Sequence, residues 1–174
     1  MAVLVRHVLF EELTITAMPA NRQCVITSFE DKDNALYVTG ILATEHQSYN
    51  STSGFEGGFI LEVDSVDMSR VDEEAGVPIL MEHGLLNFLP HQSFGMVTGY
   101  EYKTFPDGVK YIEVTFSIPL VTDGIIVANK IRNNIYTGIS IGARFTDETK
   151  EDLAGQLERE RTVVEIYDDM LKMS

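Results

Sequence analysis

The stretch FGMVTGYEYKTFPDGVKYIEVTFSI, residues 94–118, decides the fold class of this chain. Polar and apolar residues alternate in its second half, where Ile112, Val114 and Phe116 fall on one side of the alternation. A period of two indicates a strand with one buried face. The two halves are separated by Pro-Asp-Gly at 106–108, which is typical of a tight turn. The stretch therefore predicts a β-hairpin.

Several segments upstream also have the composition of strands. CVITSF (24–29) and ALYVTGILA (35–43) flank the polar segment EDKDN (30–34), and this arrangement predicts a second hairpin. GFILEV (58–63) and VPILMEHG (77–84) are two further short apolar runs. The chain upstream of residue 94 is therefore expected to be rich in strands.

Two segments downstream have helical patterns. TDGIIVANKIRNN (122–134) offers Thr122 or Asp123 as an N-cap, followed by apolar residues that can share one helical face: Ile126, Val127, Ala128 and Ile131. TDETKEDLAGQLERER (146–161) is charged, with two leucines four residues apart. YTGISIGARF (136–145) and TVVEIYDDMLKMS (162–174) are expected to be strands. The predicted fold is a single α+β domain, mainly antiparallel β in a barrel-like sheet, with a few flanking helices.

Composition restricts the possible partners. The chain has 174 residues, with 27 acidic against 13 basic side chains and a formal net charge of −14. Nucleic acids and anionic membranes are bound through basic surfaces, so neither is an expected partner. The first 20 residues have no continuous apolar core of the kind found in signal peptides or membrane spans, so a cytoplasmic location is expected.

No metal or cofactor is expected from the sequence. Cys24 is the only cysteine, so neither an internal disulfide nor a cysteine-type zinc site can form. A metal site formed by Glu82, His83 and His91 is disfavoured, because the segment between the two histidines contains Pro90 and lacks helical i, i+4 spacing.

One residue of YTGISIGARF has no simple packing role. Ser140 stands between Ile139 and Ile141, where a core strand would favour an aliphatic side chain. By itself it is better explained as a small, tolerated residue whose hydroxyl bonds the backbone. His83 ends an apolar strand beside Gly84, and it is either a strand-end residue bonded to a carbonyl or a side chain that faces a cleft.

The order of these segments resembles the prohead maturation proteases of tailed bacteriophages, which share a fold with the herpesvirus assemblins. The resemblance starts at about Val77 and comprises a strand ending in His83, the hairpin, the helix 122–134 and the Ser-Ile-Gly of YTGISIGARF. It implies an assemblin-like fold over residues 1–174 and a serine endopeptidase of capsid maturation. The enzyme would cleave scaffold and capsid-protein extensions and itself, within the prohead in the host cytoplasm.

The resemblance implies Ser140 as the nucleophile and His83 as its general base. A serine hydroxyl needs such a base, and imidazole titrates in the right range. The third member, if there is one, is Asp168, which falls among the apolar residues of the last strand, or Glu165 on its opposite face. Gly142 and Arg144 follow the nucleophile, where they would position backbone amides or a water for a developing oxyanion.

The implied partners are the phage scaffold and major capsid proteins, and a homo-oligomer is plausible from the family. One position departs from the family pattern, because Lys172 stands where the relatives carry a glutamate in the final strand. The alternative function is therefore a catalytically inactive structural virion protein that retains the protease fold. A binding module without catalytic history is a third option.

Overall fold

The computed structural model describes residues 3–5, 8–19, 23–45, 48–49, 59–81 and 93–145. These residues form eleven strands and one α-helix in the order β1 (Val3–Val5), β2 (Val8–Thr16), β3 (Ile26–Lys32), β4 (Ala35–Thr44), β5 (Ser48–Tyr49), β6 (Phe59–Leu61), β7 (Val66–Asp67), β8 (Pro78–Met81), β9 (Gly95–Thr104), β10 (Lys110–Pro119), α1 (Asp123–Arg132) and β11 (Gly138–Phe145). Two short 3-10 helices, Val63–Ser65 and Ser69–Asp72, flank β7.

The strands form two sheets. The larger has eight strands in the order β11-β2-β8-β9-β10-β4-β3, with β7 added beside β2, and the smaller has the order β1-β6-β5. Most neighbours run antiparallel, while β2 pairs in parallel with β7 and β8, and β1 pairs in parallel with β6. The predicted α+β class with mainly antiparallel strands is confirmed.

The prediction of a barrel is wrong in one respect, because the sheet does not close. Its two ends approach each other at a single bridge between Val25 and Gly138, supported by a hydrogen bond from the Ile139 N–H to the Cys24 carbonyl. From Ile26 onward, β3 pairs with β4 within the described residues. A closed barrel requires a continuous ladder between its first and last strands, and one bridge does not supply it.

Both predicted hairpins are confirmed, and their turns explain why. Asp33 and Asn34 join β3 to β4 with φ values of 51° and 58°. Two consecutive residues with positive φ match a type I′ turn, whose twist suits a two-residue hairpin and which Asp and Asn tolerate. In the second hairpin Gly108 has a φ of 91°, and its N–H donates to the Phe105 carbonyl at 2.9 Å.

Helix α1 lies where the sequence predicts it, with two differences. Thr122 is the N-cap residue, but its side chain makes no capping hydrogen bond. The buried face comprises Gly124, Val127, Ala128 and Ile131, which recur at the spacing of one helical face, whereas the predicted core residue Ile126 is 55% exposed. The second predicted helix, 146–161, lies outside the described residues, so the described part has one α-helix rather than a few.

The hydrophobic core is formed by one face of the large sheet, by α1 and by residues between Leu61 and Met68. Its fully buried large side chains are Phe10, Leu13, Ile15, Leu36, Leu42, Leu61, Ile79, Ile112, Phe116, Ile118 and Ile131. These residues come from β2, β4, β8 and β10 of the large sheet, from β6 of the smaller sheet and from α1. None of the helical segments in the described residues combines the length and apolarity needed to cross a bilayer.

Candidate functional site

Ser140 lies in β11, an end strand of the large sheet, two residues after the start of the strand. It is paired with Thr14 of β2, and it is half-buried. Ile139 is fully buried in the core, and Ile141 packs against that core. Because side chains alternate along a strand, Ser140 points to the opposite, outer face of the sheet. The predicted packing on both sides of Ser140 is therefore present, while the role of its hydroxyl stays a prediction.

The strand that leads to the predicted base belongs to the same sheet. Leu80 of β8 pairs with Thr14, so Leu80, Thr14 and Ser140 form one row across β8, β2 and β11. With strands about 4.8 Å apart, two spacings separate β8 from β11 by about 10 Å. Strand β8 ends at Met81. His83 lies outside the described residues, as do Asp168 and Glu165.

The two residues predicted to follow the nucleophile are both in β11. Gly142 pairs with Glu12 of β2, and Arg144 pairs with Leu9. The ladder places their backbones, whereas the Arg144 side chain lies outside the described part of the chain. The roles of Gly142 and Arg144 in stabilising an oxyanion or positioning a water therefore stay predictions.

The N-terminal strand β2 supplies the neighbours of Ser140, and the sequence analysis missed it. Its buried residues are Val8, Phe10, Leu13 and Ile15, so their spacing changes from two to three and back to two. The structure explains this change by a β-bulge, because Gly142 pairs with Glu12, Ala143 pairs with Phe10, and the register passes over Glu11. The break in spacing at Glu11 was the sequence signal that could have identified both the strand and its bulge.

The bulge turns Glu12 toward the outer face, beside Ser140. A Cβ atom added at Gly142 would overlap the Glu12 Cγ and would lie 3.0 Å from its Cδ and Oε1. The Glu12 side chain therefore lies directly against the Gly142 backbone, and only glycine leaves room for it. A carboxylate in this position can accept a hydrogen bond from an imidazole or a hydroxyl, but it repels an anion that forms beside it.

Two clefts of the described residues lie away from Ser140. One, of about 220 Å³, is lined by residues around the start of β9 and of α1, among them Phe94, Met96 and Thr122. The other, of about 350 Å³, is beside the β9–β10 turn and Gln23. Among the described residues, no group of three histidine, cysteine or acidic side chains is placed to hold a metal ion. Neither cleft contains the outer-face residues Glu12, Thr14 or Ser140.

Comparisons of the chain with protein-family models, with curated proteins and with solved structures find no match. The candidate site therefore depends on the residues of this chain and on their placement.

Proposed function

We propose that this protein is a serine endopeptidase of bacteriophage prohead maturation. The observation that supports it best is the position of Ser140, a half-buried hydroxyl on the outer face of a strand whose neighbouring residues are packed into the core. Such a strand holds a side chain in a fixed direction, which a nucleophile requires. The order of His83, hairpin, helix and Ser140 along the chain adds the resemblance to the prohead proteases.

In the proposed reaction His83 accepts the proton of Ser140 as the hydroxyl oxygen attacks the scissile carbonyl carbon. The tetrahedral intermediate then collapses, the C–N bond breaks, and His83 donates the proton to the leaving amine. A water molecule, deprotonated by His83, then attacks the carbonyl carbon of the acyl ester. The bond between this carbon and Ser140 Oγ breaks, His83 returns the proton to Oγ, and the new carboxyl terminus is released. Asp168 or Glu165 would orient the imidazole, and the backbone at Gly142 would stabilise the oxyanion.

The proposed substrates are the scaffold protein, the extension of the major capsid protein and the protease chain itself. Confinement inside a prohead raises the effective concentration of enzyme and substrate, so a shallow site is sufficient for turnover.

A second candidate is a structural virion protein with the same fold and no protease activity. The contact between Glu12 and Gly142 favours it, because a carboxylate lies where the backbone would approach a developing oxyanion. Lys172 in place of the family glutamate favours it as well.

Cleavage of a scaffold protein by the purified chain separates the two candidates. We expect the parent chain to produce fragments that mass spectrometry detects, and we expect Ser140→Ala and His83→Ala to produce none. Thr14→Val is the matched control, because Thr14 is the neighbour of Ser140 on the same face and has no proposed chemical role. Loss of cleavage in Thr14→Val as well would indicate disturbance of the ladder instead.

A fluorophosphonate probe provides a readout that needs no substrate. We expect it to label Ser140 in the parent chain, and we expect His83→Ala to reduce the labelling rate strongly. Absence of labelling in a folded parent chain, together with absence of fragments, would overturn the protease proposal and leave the structural candidate.

A further inference from the structure

Two tyrosines form an exposed aromatic corner on β9, far along the sheet from Ser140. Tyr100 and Tyr102 are two positions apart, so their side chains project from the same face of the strand. Their ring centroids are 5.8 Å apart, and the ring planes meet at 89°. The residues are 36% and 51% exposed, respectively. We call this pair the tyrosine corner.

The corner lies where the core-facing surface of the sheet becomes open to solvent. Tyr100 and Tyr102 pair with Val114 and Ile112 of β10, and both of these partners are fully buried. Val97, further back on the same strand, pairs with Phe116 and is only 5% exposed. One face of β9 is thus covered at its start and uncovered at the corner, which leaves two large rings in contact with water.

Carboxylates lie beside the corner. The pKa of Tyr102 is raised mainly by burial, and further by the neighbouring Tyr100, Asp64 and Asp67. Both aspartates are therefore close enough to interact with the Tyr102 hydroxyl. The Asp64 carboxylate is bound by Lys110 at 3.2 Å. The Asp67 carboxylate accepts the Ser69 backbone N–H at 2.9 Å, and hydrogen bonds from Ser69 lower its pKa, so Asp67 is ionised at neutral pH. An ionised carboxylate, that of Asp67, therefore lies in the neighbourhood of the corner.

We propose that the tyrosine corner, together with Asp67, binds a lysine or arginine side chain from a basic peptide segment of a partner protein. Two rings at a right angle offer electron-rich faces to one cation, and the nearby carboxylate supplies the opposing charge. The net charge of −14 attracts a basic segment over a longer range, and it disfavours an acidic one. This site is independent of the proposed protease chemistry, since it lies on β9 and uses none of its residues.

Peptide binding to the Ser140→Ala chain tests this inference without interference from cleavage. The probes are fluorescein-labelled hexa-arginine and hexaglutamate peptides, and the measurement is fluorescence anisotropy at several salt concentrations. We expect hexa-arginine to bind and hexaglutamate not to bind. Tyr102→Ala should weaken hexa-arginine binding about two- to fivefold, the range expected for an exposed cation–π contact, whereas Tyr102→Phe should retain it.

Two variants that each remove one negative charge distinguish binding at the tyrosine corner from general attraction of the peptide to the acidic protein. Asp67→Asn should weaken binding, whereas Asp33→Asn, which removes the same charge, should not. Asp33 is in the β3–β4 turn next to the Pro119 end of β10, while the corner is near the Lys110 end, and asparagine tolerates the positive φ at this turn. Equal weakening by the two charge variants, or unchanged binding in Tyr102→Ala, would overturn the proposal.

A ring-current measurement on the parent chain covers the case in which a tyrosine variant unfolds. We expect the δ-methylene protons of the bound arginine to shift upfield in the NMR spectrum, since they would lie over the tyrosine rings. Shifts confined to exchangeable protons, with no change at the methylene protons, would show that the peptide binds elsewhere.

Discussion

The β9–β10 hairpin and the β2–β11 ladder are both antiparallel pairs of long strands, but they are specified in different ways. The hairpin strands are joined by a short turn around Gly108, which sets their register as far as the Gly99–Thr115 pair, beyond which the register shifts at Thr98. The strands of the ladder come from near the two ends of the described chain, and their register shifts at Glu11. Local sequence determines the first pair, whereas the second depends on the whole core being assembled.

The solvent-exposed surfaces of the two pairs also differ: the ladder exposes its outer face, whereas the hairpin exposes part of its core-side face at the tyrosine corner. The ladder presents small and polar groups around Ser140, with the Glu12 side chain packed against Gly142. The hairpin presents the tyrosine corner, with two large exposed rings. The proposed protease reaction uses the first surface, and the proposed cation binding uses the second. The variants below test this difference between the two pairs, from the largest expected effect to the smallest.

Deleting single residues from β2 should have the largest effect. Deletion of Thr14 would turn either Leu13 or Ile15 out of the core, because a shift of one residue reverses the faces of a strand. We expect a loss of at least about 3 kcal/mol in the free energy of unfolding, measured by urea denaturation.

Deletion of Glu11 is the matched control for this experiment. It removes the extra residue of the bulge and its ion pair with Arg70, and it leaves the four buried side chains of β2 in one regular alternation. We therefore expect this variant to fold with a clearly smaller loss of stability. Equal losses in the two deletion variants would contradict the proposed role of the bulge.

The contact between Gly142 and Glu12 should appear as an energetic coupling. Gly142→Ala would place a methyl group against the Glu12 side chain, and we expect it to cost about 1–3 kcal/mol. In a Glu12→Ala background the same substitution should cost much less, because the obstructing side chain is absent. Denaturant unfolding of the four chains of the cycle measures the coupling. Strictly additive effects would mean that the Glu12 side chain moves away freely.

Gly108 tests the turn that sets the hairpin register. Its φ is 91°, and an added Cβ would meet nothing within 4 Å, so Gly108→Ala changes backbone strain alone. We expect a loss of about 1–2 kcal/mol in thermal or urea unfolding. Gly99→Ala in β9 is the control, since its Cβ also has open space and its φ is not positive. We expect Gly99→Ala to be neutral or slightly stabilising.

The smallest effect concerns the carboxylate beside the tyrosine corner. The Ser69 backbone N–H, followed by the Ser69 hydroxyl, holds the pKa of Asp67 below 3.8. The ionised Asp67 carboxylate therefore stabilises the fold at pH values above its pKa in the unfolded chain. This stabilisation is lost as the pH falls through the lower pKa of the folded chain. Ser69→Ala removes the hydroxyl alone, so we expect the pKa of Asp67 to rise part of the way toward 3.8. NMR titration of the Asp67 carboxyl carbon measures this, and an unchanged pKa would assign the whole effect to the backbone.

The sequence by itself determined the two hairpins, the position of α1 and the mainly antiparallel class. These features are specified by short stretches of sequence, namely turn residues such as Asp33 and Gly108 and the alternation around Val114. They can therefore be interpreted without a structure. It also identified Ser140 as a polar residue that core packing does not explain.

Only the tertiary structure decided what surrounds Ser140. Glu12 and Thr14 reach it because a bulge and a long-range ladder bring β2 beside β11, and no local pattern specifies which strand becomes the neighbour of another. The open sheet and the exposed tyrosine corner have the same origin. Each depends on where the shared core ends, and the extent of that core is a property of all the packed strands together.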